Sequence, residues 1–126
     1  MHKEAKAFAR KELLRPREEL DNKSLSTLGW HLAPDFEDKE TIGLCDPENK
    51  TLSFSLYWMK NPSESFYKEI ILHEIAHAIT DYIYDVLDAP PHNNSWRYIA
   101  KKLGCKFGAR VPAYKTLFGK SIIKKS

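Results

Sequence analysis

The stretch "ILHEIAHAIT", Ile71 to Thr80, places His73 and His77 four positions apart in an otherwise apolar run, with Glu74 directly after the first histidine. Stepping along a helix at about 100° per residue, His73, His77 and Thr80 fall within ~60° of one another. Ile71, Ile75, Ala78, Ile79 and Tyr82 gather opposite. A helix with an apolar back and a polar front is expected, the histidines lying off the isoleucine face. Residues i and i+4 share a helix face about 6 Å apart, so two imidazoles at this spacing can reach one ion. Glu74, ~100° away from His73, flanks such an ion without ligating it and can hold a water beside it. H-E-x-x-H thus reads as a zinc pair with a glutamate general base. The five-residue pattern also arises by chance, so its surroundings decide.

Upstream, "NPSE" is a helix start: Asn61 can cap, Pro62 suits the first turn and Glu64 can reach back, giving a helix to about Tyr84. Three strand-like segments precede it, 30–36, 41–46 and 50–58. The third alternates Leu52, Phe54 and Leu56 against Thr51, Ser53 and Ser55, so one side faces a core. "DPENK" between the last two segments suits a tight connection, and the pair reads as a hairpin in an antiparallel sheet with one solvated face. Residues 3–14 form a packing helix striped with Ala5, Phe8, Ala9 and Leu13. A second helix is expected from Pro16 to about Leu28, ended by Gly29. After the metal helix, prolines and asparagines mark 85–94 as a loop. "SWRYIAKKLGC" then forms a short helix with Trp96, Ile99, Ala100 and Leu103 on one face and Gly104 at its end. The expected class is α+β, a small antiparallel sheet packed on the histidine helix with flanking helices: packing helices over 1–29, a core over 30–113 and a basic tail over 114–126.

At 126 residues the chain fits one core. Its 42% hydrophobic and 29% charged residues exclude disordered and fibrous classes. No apolar run reaches the roughly 20 residues that span a bilayer, and the start lacks a secretory h-region, so a cytoplasmic protein without a membrane partner is expected. Cys45 and Cys105 are too few for a disulfide scaffold or a four-cysteine zinc site and read as buried or idle thiols, a lone disulfide being the lesser option. Net charge is +3, and the tail holds Lys115, Lys120, Lys124 and Lys125 with no acid, which makes DNA a candidate partner.

A catalytic zinc needs a third protein ligand and an open position for water. His92, 92 − 77 = 15 residues after the second histidine and just before the Trp96 helix, is best placed to fold back over the metal helix. Asp81 continues the same straight helix and cannot approach from a tetrahedral direction. Asp85 and Asp88 remain competitors, whereas His31 on the first strand and His2 at the terminus are badly placed.

Taken together, "IGLCDPENKTLSFSLYW" (42–58), "ILHEIAHAIT" (71–80) and "HNNSWRYIAKKLGC" (92–105) resemble the SprT-like zinc metallopeptidase domain, the Spartan-related group, over Trp30 to about Cys105. The resemblance implies a compact zincin with an antiparallel sheet over the metal helix. It also implies one Zn²⁺ per chain on His73, His77 and His92, with Glu74 as catalytic acid/base, and in the Spartan branch the cleavage of DNA-bound proteins. The family commonly brackets its third histidine with glycines, where this chain has Pro91 and Asn93.

The reaction expected is hydrolysis of a protein or peptide. Glu74 takes the proton of the attacking water and passes it to the leaving amine, and Tyr114 or Arg110 is the candidate donor to the tetrahedral intermediate. Strand 51–57 is expected at a sheet edge, open to backbone pairing with substrate. The rival readings are a non-catalytic zinc domain that binds DNA or a protein, and an inert helical domain whose histidines only pack.

Overall fold

The computed structural model describes residues 1–84 and 94–106. Helix α1, Lys3–Leu14, forms where the apolar stripe predicts, burying Ala5, Ala9 and Leu13. Two alanines on that face let α1 lie close against the long helix α3 described below. Arg15 ends α1 in an extended conformation, φ −72° and ψ 123°, as the residue before a proline must. Glu12, buried at this end, accepts from Arg17 at 2.8 Å and from Arg15 at 2.9 Å. Burial pushes its carboxyl up, but the hydrogen bonds and charges of Arg15 and Arg17 outweigh burial and hold it below the ordinary value.

No second helix follows. Residues 16–28 make a 3₁₀ turn at Glu18–Leu20, and then Asp21 and Asn22 take φ of 56° and 65°. Asp and Asn tolerate this left-handed region and prefer turns, which reverses the chain so that Arg17 N–H donates to the Lys23 carbonyl at 3.0 Å. The helix-start signal at Pro16 loses to this local turn chemistry, while Leu20 and Leu25 still reach the core.

Strands β1 (His31–Leu32), β2 (Gly43–Asp46) and β3 (Thr51–Phe54) form a sheet in the order β1-β3-β2. The β2–β3 hairpin is antiparallel, with Gly43 opposite Phe54 and Cys45 opposite Leu52, as the turn between them predicts. β1 joins β3 in parallel, a pairing that no local pattern reveals. Consequently β3 is the central strand, which overturns its expected place at an edge; among the described residues β1 and β2 are the outer strands. β3 also ends sooner than its alternation suggests. Buried Ser55 bonds Asp38 in both directions, accepting from its N–H at 3.1 Å and donating to its carbonyl at 2.6 Å. The chain then turns into a short helix, α2, Leu56–Met59.

Helix α3, Glu64–Tyr84, starts at Ser63 and not at Asn61: the Ser63 hydroxyl accepts the Phe66 N–H at 3.3 Å, the ordinary N-cap bond. α1, β2, the 3₁₀ turn and helix α4, Asn94–Leu103, all pack on it. α4 ends in a Schellman motif. Gly104 takes φ 94° and donates to the Lys101 carbonyl at 3.1 Å, while Cys105 donates to Ala100 at 3.0 Å. No helix among the described residues is long and apolar enough to cross a membrane.

Candidate metal centre

Coverage from several sides changes the character of α3. Ile70, Ile71, Ile75 and Ile79 are fully buried, as expected, but so are His73 and Glu74, and His77 is only 6% exposed. The polar front is therefore a second buried face, and the expectation that the histidines stand apart from the core fails. Its physical cause is that β2 and α4 close over the side of the helix that periodicity alone leaves to solvent. Tyr82, assigned by periodicity to the apolar back, is 39% exposed, and its hydroxyl donates to Asp21 at 3.1 Å.

The His73 and His77 rings lie with centroids 5.0 Å apart and planes at 62°. Trp96 of α4 covers both, its ring 4.5 Å from His73 and 5.2 Å from His77, the latter stacked at 27°. Its indole N–H donates to the His73 carbonyl at 3.3 Å, so one buried side chain locks α4 onto α3 and limits how either imidazole can turn.

Glu74 points toward the sheet. Neither carboxyl oxygen has a hydrogen-bond partner among the described residues, and burial pushes the group up to about 8. Gly43 of β2 lies against it: a Cβ there would stand 3.1 Å from Oε2 and 3.2 Å from Cγ of Glu74. Sequence reading passed over Gly43, although a glycine inside a strand pattern signals close approach by another group. Two positions on, Cys45 occupies the same buried face, where burial and then the charges of Glu74, Asp81 and Asp46 push its thiol well up. Cys105 is likewise pushed up, to about 12, by burial and by Glu69 and Glu74. Both cysteines are free and, at neutral pH, protonated, as idle thiols should be.

This donor set suits zinc in kind: two imidazoles on successive turns with ring centroids 5.0 Å apart, and a buried carboxyl within a turn of both. Of the other candidate ligands, His31 is exposed on β1 with its ring nitrogen 3.1 Å from the Gly29 carbonyl, and His2 stacks near Tyr67. Asp81 continues along the unbroken α3. Among the described residues no group of three His, Cys, Asp or Glu side chains converges to hold a metal. The third-ligand candidate His92, its competitors Asp85 and Asp88, the proposed donors Arg110 and Tyr114, and the tail lysines all lie outside the described residues.

Compared with known proteins, residues 15–116 match the SprT-like family. No curated protein and no solved structure matches the chain.

Proposed function

The chain belongs to the SprT-like family, and from that premise we propose that it is a zinc-dependent peptidase, the finer reading of a zincin-like, metallopeptidase-type domain. His73 and His77 would hold the ion from successive turns of α3, with His92 as the third ligand. Zinc, when bound, supplies a Lewis acid that makes water acidic near neutrality and polarises a scissile carbonyl. Glu74 accepts the proton of the attacking water and delivers it to the leaving amine. Its buried, low-dielectric setting raises its proton affinity, which suits a group that must both take and return a proton near neutral pH. Trp96 keeps the imidazoles in place, and Arg110 or Tyr114 donates to the oxyanion.

The observation that carries the reading is the burial of Glu74 beside a histidine pair. A carboxyl without a hydrogen-bond partner among the described residues is costly in a core, and such groups cluster where chemistry uses them. Metal analysis of protein purified without chelator should return one zinc per chain, and Glu74→Gln should keep the zinc while abolishing peptide hydrolysis. Substoichiometric metal that His73→Ala and His77→Ala leave unchanged would sink the proposal. Zinc at full occupancy without hydrolysis of casein or of DNA-bound proteins would favour a non-catalytic zinc domain.

A further inference from the structure

We propose that Gly43 is a positioning residue for Glu74, its missing side chain being the space in which the general base stands. The inference rests on the role of Glu74 proposed above. Glycine weakens a strand, through lost backbone entropy and the absence of a side chain to pack, so its place inside β2 needs a reason. Conformation is not that reason: among the described residues the glycines with positive φ are Gly29 and Gly104, and Gly43 pairs in register with Phe54 in an ordinary antiparallel ladder. Space is. A Cβ at this position meets the Glu74 carboxyl at 3.1 Å and its Cγ at 3.2 Å, with the Phe54 ring at 3.3 Å. All are tighter than ordinary van der Waals contact, and Glu74 and Phe54 are both packed in the core.

The geometry makes β2 one wall of the catalytic carboxyl. A side chain at 43 displaces Glu74 away from β2, by a few tenths of an ångström for alanine and more for valine. Catalytic groups tolerate misplacement poorly, because the reacting atoms must be held near attack distance. The three atoms nearest a Cβ at 43 belong to Glu74 and Phe54, not to His73 or His77, so zinc content should not follow the displacement.

Gly43→Ala and Gly43→Val in the full chain test this. In zinc-loaded protein kcat should fall about 10-fold for alanine and about 100-fold for valine, with KM and zinc content unchanged. A second readout needs no activity. In chelator-treated protein Gly43→Ala should lower Tm by on the order of 5 °C, as overpacking does in a domain of this size. In a Glu74→Ala background, where the carboxyl is gone, the same change should cost at most a small part of that. An equal Tm loss in both backgrounds would assign the crowding to Phe54 and overturn the proposal, as would unchanged kcat in either variant. If the wild type cleaves nothing, the peptidase reading fails, while the stability cycle still reports whether Gly43 and Glu74 compete for one space.

Discussion

Replacing Glu74 by glutamine should stabilise the metal-free protein, by an amount set by pH. The Glu74 carboxyl is held at about 8 in the fold by burial, against 4.5 when the chain is unfolded. Between these values the unfolded state releases a proton that the folded state keeps. Stability is therefore undiminished below pH 4.5, falls as pH rises toward 8 and levels off above it. At pH 7 the gap of 2.5 between the pH and the unfolded value corresponds to about 3 kcal/mol, approaching ~5 kcal/mol above pH 8. Glutamine has a similar shape and does not titrate, so the variant escapes this loss, and its Tm in chelator should exceed the wild type's by roughly 10 °C at pH 7. Urea denaturation of both proteins from pH 4.5 to 8.5 measures the difference directly, since titrations common to both cancel. Adding zinc should shrink the gap, because a divalent cation beside the carboxyl favours its ionised form. Stability curves that run parallel across this pH range would show that burial does not raise the Glu74 carboxyl as stated.

Three further outcomes are expected. His92→Ala should remove most of the zinc affinity and Asp85→Ala and Asp88→Ala should not, as read by competition with a chromogenic chelator; the reverse pattern assigns the third ligand to an aspartate. Arg17→Met leaves buried Glu12 without its closest partner and should cost about 3 kcal/mol at pH 7. Because the native Glu12 is held below its ordinary value, that cost should fade as pH drops below the ordinary carboxylate range, and a pH-independent loss would point to packing instead. If the tail lysines contact phosphates, cutting the chain after Ala113 should weaken DNA binding and flatten its salt dependence; unchanged affinity places them in solvent.

Much of the scaffold and the heart of the site were legible in the sequence because they depend on near neighbours. Helix periodicity placed α1, α3 and α4, Asp-Pro and Asn marked the β2–β3 turn, and Gly104 stopped α4 where a left-handed residue was needed. The spacing of His73, Glu74 and His77 put all three within one turn, which no later packing can undo. Other features depended on which distant elements meet. The parallel pairing of β1 with β3 turned the expected edge strand into the central one, since register across a sheet is set by partners remote in sequence. Turn formation at Asp21 and Asn22 cancelled a helix that the Pro16 start signal favoured. Above all, periodicity describes a helix with one covered face, whereas α3 is covered by α1, β2 and α4 together. Burial of a side chain belongs to everything that packs on it. The sequence by itself thus determined which groups could do chemistry, and only the tertiary structure decided that Trp96 covers the imidazoles, that Glu74 is buried, and that the bare Cα of Gly43 is what leaves it room.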